Sequence, residues 1–215
     1  MAQRPVFVPS RKVPYVDVFM PEFVWNGGFA ASQKQKNIVA LHEAFHKRFP
    51  ERNLLEISSK SLQEFGVKMS AFHLKKEVPS IGKTVPVECI FQGSKVFSAG
   101  GPYTELYEKT PREAKKEPCL KSSGILRGFQ FEGQQYPLQP KTVFYDWLYI
   151  NAITENSGYA EQLVQFDGFT DIEFNPDKSI NCQAKSAALF VALFRLELLE
   201  QCRNFEQFAK LFGGK

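Results

Sequence analysis

A chain of 215 residues with 43% hydrophobic and 14% aromatic residues has enough apolar material for a packed core, which excludes a disordered polypeptide. Its 27 Lys and Arg against 23 Asp and Glu leave a net charge of +4, which permits an anionic ligand. No long Lys/Arg run appears, which excludes a protein that coats DNA by charge alone.

The elements follow in chain order. Residues 5–25 carry β-branched and aromatic residues broken by Pro5, Pro9, Pro14 and Pro21, a pattern of short edge strands and turns. Gly27-Gly28 reads as a turn. From Ser32, the residues Ile38, Leu41, Phe45 and Phe49 form one stripe at helical spacing, closed by Pro50. Leu54 to Ile57 predicts a short strand, followed by polar Ser58 to Ser61. A second helix is expected over Pro86 to Phe97. A third starts at Thr110 as N-cap, with Pro111 in the first helical position and Glu113 completing a capping box. Turns are expected at Gly100-Gly101, Gly124, Gly128, Gly133 and Pro137 to Pro140. Residues 142–155 and 158–166 read as helical, Asn175-Pro176-Asp177 as a turn. The last long helix runs from about Asn181 to Cys202, with a short one over Phe205 to Phe212, and Gly213-Gly214-Lys215 should fray. With no repeat and no long linker, residues 1–215 are expected to form a single helix-rich α+β domain with a small sheet.

The four cysteines, Cys89, Cys119, Cys182 and Cys202, never fall at C-x-x-C spacing, so no zinc knuckle or thioredoxin-like motif is present. Scattered cysteines suit a reducing compartment. Met1 to Pro9 contains no apolar core of signal-peptide length, and the longest apolar run, Ala187 to Phe194, is too short to span a bilayer. A cytoplasmic protein without a membrane partner is expected.

Two motifs compete for the chemistry. His42-Glu43-Ala44-Phe45-His46 matches H-E-x-x-H, in which two histidines one turn apart bind zinc and the glutamate activates its water. Against it, Phe49 and Arg52 stand where the extended motif needs Gly and His, the chain has three histidines in all, and Pro50 follows closely. The favoured reading is a pair of histidines flanking the stripe of an amphipathic helix, with no metal.

The second constellation is longer. Met69-Ser70-Ala71-Phe72-His73 leads through Ile81 to Pro86 into Val87-Glu88-Cys89-Ile90-Phe91-Gln92-Gly93-Ser94-Lys95-Val96-Phe97. Thr110-Pro111-Arg112-Glu113-Ala114-Lys115, Asp171-Ile172-Glu173-Phe174-Asn175 and Asn181 follow. This ordered set resembles the NADAR family over residues 55–195. Val87, Glu88, Phe91, Gln92 and Lys95 stand at matching positions of its Val-Glu-His-Tyr-Phe-Gln-Ala-x-Lys-Phe segment. Ala71, His73, Phe174, Asn175 and Ser179 depart from the family's Asn, Tyr, Trp, Gly and Gly. The departures resemble a branch of enzymatic antitoxins paired with DNA-modifying ADP-ribosyltransferase toxins. The resemblance implies a hydrolase that removes ADP-ribose from a nucleobase, guanine in DNA, without metal or cofactor. It also implies ADP-ribosylated nucleic acid and a cognate toxin as partners. An N-glycosidase acting on small riboside phosphates and a non-catalytic module binding ADP-ribose or a toxin are the alternatives.

The residues support that chemistry. Spacing of i, i+4 and i+7 puts Glu88, Gln92 and Lys95 on one helix face. A solvated face with one salt bridge is the bland alternative. Gly93 in mid-helix costs roughly 1 kcal/mol relative to Ala, which implies close approach of backbone or ligand. Cleaving an N-glycosidic bond builds positive charge on the ribose, which a carboxylate opposes. Glu88 is the candidate for that role. Lys95 either contacts a phosphate or the leaving base, or attacks the opened sugar as a Schiff-base nucleophile. Asp171 is the second candidate carboxylate, or else caps a turn. Ser70, Phe72, His73, Gln92, Gly93, Trp147, Asn181 and Gln183 are the candidate ligand contacts. Trp147 stacks on a base or packs in the core. The small residues after Asn181 bind a diphosphate at a helix N-terminus or serve packing.

Overall fold

The computed structural model describes residues 1–213; the fraying expected at Gly214 and Lys215 lies outside them. The strands are β1 (Ala2–Gln3), β2 (Val6–Pro9), β3 (Val16–Phe19), β4 (Glu22–Phe23), β5 (Leu54–Glu56), β6 (Lys75–Val78), β7 (Lys83–Pro86), β8 (Lys95–Phe97), β9 (Leu126–Phe131), β10 (Gln134–Tyr136) and β11 (Gly168–Thr170). The helices are α1 (Ala31–His46), α2 (Glu64–Lys68), α3 (Val87–Gly93), α4 (Pro111–Lys116), α5 (Cys119–Ser122), α6 (Val143–Glu155), α7 (Tyr159–Leu163), α8 (Gln183–Arg195), α9 (Leu199–Cys202) and α10 (Phe205–Lys210). The class is α+β and helix-rich, and the strands form several small sheets rather than one.

The chain divides into two compact units. The first contains Met1–Ser70 and Gly158–Gln201. Its main sheet has the order β3-β2-β11-β5. β11 runs antiparallel to β2 and parallel to β5, so Glu56 lies beside Thr170 at the carboxyl ends of two parallel strands. α8 packs on this sheet with a largely apolar face, and α1 buries Ile38, Leu41 and Phe45 against Val6, Val8, Phe23, Leu54 and Ile172. The expected stripe is present, but Phe49 lies beyond the helix, where its ring packs on those of Phe45 and Phe19.

The last long helix is a correction. It stops at Arg195, because Leu198 N–H donates to the Leu193 carbonyl (2.9 Å) and Glu197 N–H to that of Phe194 (3.0 Å). Glu197 has φ +59°, which makes this a Schellman ending with Glu in the place glycine usually takes.

The second unit contains Ala71–Ser157 and Cys202–Lys215. It holds the β6–β7 hairpin, a β10-β9-β8 sheet and α6, whose residues from Val143 to Ile150 are all buried. Glu132 (φ +48°) and Gly133 (φ +75°) make the two-residue turn joining β9 and β10, a geometry that matches strand twist. Gly128, expected in a turn, instead pairs with Val96 inside β9. A Cβ there would stand 2.9 Å from the Tyr136 carbonyl oxygen. The helix expected over Pro86 to Phe97 is also corrected: it ends at Gly93, and Lys95 to Phe97 form β8. The terminal carbonyls are claimed from outside, Gly93 O by Tyr103 N–H and Ser94 O by Gln130 N–H, each at 2.7 Å.

Candidate active site

Three segments of the second unit converge on Glu88. The segment after Ser70 meets the start of α3 through hydrogen bonds of 2.9 Å from Val87 N–H to the Leu74 carbonyl and from Glu88 N–H to that of Ala71. α4 begins with the expected capping box between Thr110 and Glu113, and it packs against α3. Its Lys115 places an amine 3.8 Å from Glu88 Oε1 and 5.6 Å above the Phe72 ring. Glu88 itself is only 6% exposed, so its charge is largely withheld from water.

A continuous polar chain leads from that carboxylate. Gln92 Nε2 donates to Glu88 Oε1 at 2.8 Å, and Lys95 Nζ donates to Gln92 Oε1 at 2.6 Å. Lys95 Nζ also lies 4.8 Å from the centre of the Phe91 ring. Burial pushes the Lys95 amine below the usual lysine range; Glu88 opposes that shift and Lys115 adds to it. A carboxylate and a largely buried amine are thus joined by one neutral amide. Lys95 reaches this place from a strand, not from the helix face on which its spacing put it.

Gly93 is surrounded by the protein itself. A Cβ there would lie 2.5 Å from Tyr107 Cε1 and 2.9 Å from the Tyr103 carbonyl oxygen, so the close approach it permits is taken by these tyrosines. Trp147 is 8% exposed and packs on Tyr136, Phe144 and Phe205, with its indole N–H unpaired. His73 is exposed.

The first unit holds a second polar cluster. Asp171, just after β11, accepts from the backbone N–H groups of Glu173 (3.0 Å) and Phe174 (3.2 Å), the turn-capping pattern, and from Gln183 Nε2 at 3.0 Å. Gln183 donates also to the Ile57 carbonyl at 2.7 Å. Burial first, and then the charge of Glu56, raise the Asp171 carboxyl to about 8, above the usual carboxylate range. Glu56, 2% exposed, accepts from Thr170 Oγ1 (2.5 Å) and Ile172 N–H (2.8 Å). Thr170 Oγ1 in turn lies 2.8 Å from His42 Nε2. Since the threonine proton serves Glu56, His42 must donate, which fixes its Nε2–H tautomer. Sequence reading missed Glu56, though a charged residue in the apolar run Leu54-Leu55-Glu56-Ile57 was the available signal.

Ser70 Oγ donates to the Val67 carbonyl at 2.8 Å, and the Asn181 carbonyl accepts from Ser179 Oγ at 3.2 Å, just before α8. His46 Nε2 bonds the Arg52 carbonyl oxygen at 2.8 Å. Among the described residues, no three His, Cys, Asp or Glu side chains are grouped to hold a metal ion, and no helix is long and apolar enough to cross a membrane.

The model of the DarT1-associated NADAR antitoxins matches residues 2–215. The chain belongs to this family. No curated protein matches it. In this NADAR chain, the segments that carry the family resemblance in the second unit are the ones that meet around Glu88, and those after Thr170 surround Asp171 in the first.

Proposed function

We propose that the chain is a cytoplasmic glycohydrolase that removes ADP-ribose from an ADP-ribosylated nucleobase, guanine in DNA, and so reverses the action of a cognate DarT1 toxin. The observation that carries this reading is the buried Glu88 carboxylate linked through the Gln92 amide to the Lys95 amine. Desolvation of an amine favours its neutral, nucleophilic form, and a carboxylate beside it opposes the positive charge of an opening ribose. When the sugar ring opens, the ring oxygen gains a proton as the base nitrogen loses one, and C1 of the ribose is left doubly bonded to that nitrogen. The Lys95 nitrogen adds to that carbon, and the base departs with its nitrogen protonated, leaving Lys95 joined to C1 as an imine. Water then adds to the imine carbon, restoring the free amine and releasing ADP-ribose.

The test is incubation with a DNA oligonucleotide carrying ADP-ribosylated guanine, followed by mass spectrometry. Free ADP-ribose and restored guanine are expected. Borohydride added during turnover should leave a sugar adduct on the peptide containing Lys95, and Lys95→Arg should be nearly inactive. An active Lys95→Arg without adduct refutes the imine and leaves water attack assisted by Glu88. Turnover confined to small riboside phosphates, or binding without release, refutes the nucleic-acid assignment.

A further inference from the structure

Gln92 is buried between two groups of opposite charge and touches both. Its orientation has one solution. Glu88 offers acceptors, so the amide NH₂ must face it; Lys95 offers donors, so the amide oxygen must face the amine. We propose that Gln92 is a positioning residue that holds Lys95 apart from Glu88, preventing the direct ion pair that would tie up the amine, an inference that rests on the proposed role of Lys95.

The argument is one of distance. A carboxylate and an ammonium in contact, partly shielded from water, form a short charge-assisted pair. The proton of such a lysine is held, and its lone pair is lost to chemistry. Interposing a neutral amide leaves both groups hydrogen-bonded yet lengthens the separation of the charges, and attraction falls with that distance. The charged groups acting on the amine are Glu88 of α3 and Lys115 of α4. The residue opposite Lys95 on β9 is the uncharged Phe129. Lys115 approaches Glu88 from its own side at 3.8 Å and repels the Lys95 proton. Burial then dominates, and the amine stays below the usual range.

The titration reads the amine directly and needs no nucleic-acid substrate. Trace acetylation of the full chain with acetic anhydride from pH 6 to 11, quantified by mass spectrometry, gives the titration of Lys95. Gln92→Met keeps length and apolar bulk while removing the amide, which lets Glu88 and Lys95 close on each other. The Lys95 titration should move up by about one to two pH units, since an opposite charge at contact acts on that scale. At neutral pH this cuts the neutral amine roughly ten- to a hundred-fold, and borohydride trapping should recover as the pH is raised. Gln92→Glu, which sets a carboxylate on the amine, should move the titration the same way. An unchanged or lowered Lys95 titration in Gln92→Met overturns the insulating role; an unmoved one in Gln92→Glu overturns the contact itself. A raised titration in an enzyme that releases no ADP-ribose would instead sink the proposed reaction and leave the insulation standing.

Discussion

Acid should unfold this protein partly through His42. The ring is largely buried, donates to Thr170 Oγ1 at 2.8 Å, and burial lowers its pKa from 6.5 to about 4, with His46 adding a smaller push. The sign follows from the direction. Above the unfolded value neither state carries the proton, and the stability is fully present. As pH falls from 6.5 towards 4, the unfolded chain gains a proton that the folded ring refuses, so stability is lost. One unit of pKa corresponds to ~1.4 kcal/mol, so the loss approaches about 3 kcal/mol, less whatever water reaching the ring relieves. His42→Gln keeps an N–H donor for Thr170 but cannot titrate. Urea unfolding at pH 7 and pH 4.5 gives the stability difference between wild type and variant at each pH. That difference should shift against the wild type by about 2–3 kcal/mol on acidification, the other titrations cancelling between the two proteins to first order. Parallel pH profiles refute the burial argument. A wild type that gains on the variant in acid would show that His42 is charged when folded.

Two further predictions concern the helix that carries Glu88. Gly93→Ala puts a methyl 2.5 Å from Tyr107 Cε1 and 2.9 Å from a backbone oxygen, so overpacking should cost about 1–3 kcal/mol; an unchanged melting temperature contradicts this packing. Glu88→Gln keeps shape while removing the charge opposite the developing cation. It should slow turnover on the order of 100- to 1000-fold with much less effect on ligand affinity, and near-normal turnover would remove Glu88 from the chemistry.

The fold was legible where local chemistry is self-contained. The α4 capping box, the α1 stripe, the short strands between prolines and the turn at Gly133 each rest on residues a few positions apart, and each is present, although β2 lies inside its sheet between β3 and β11 rather than at the expected edge. It was illegible where partners are distant. Nothing near Glu197 signals a helix end, since Glu adopts φ +59° there without the glycine that would announce it. Gly128 reads as a turn by composition, yet pairing with β8 and the nearby Tyr136 carbonyl give it a strand role. His42-Glu43-x-x-His46 has the spacing of a zinc site, but each histidine has its own protein partner, Thr170 or Arg52, supplied by chain that the motif does not contain.

The candidate site shows how a wrong element can still give the right neighbours. Helical spacing put Glu88, Gln92 and Lys95 on one face, but the helix stops two residues before Lys95, because Tyr103 and Gln130 take the terminal carbonyls of Gly93 and Ser94. The first four-residue step, Glu88 to Gln92, is a true helical contact and carries a 2.8 Å bond. The second survives because a lysine side chain is long enough to bring its amine back to Gln92 from the start of β8. What changes is the support. On a helix, Lys95 would be a surface amine whose backbone moves with α3. On β8 its backbone is locked to Phe129 of β9, so the amine is aimed by one element and its carboxylate by another. Their separation is therefore set by the packing between α3 and β8 together with the length of the Gln92 side chain.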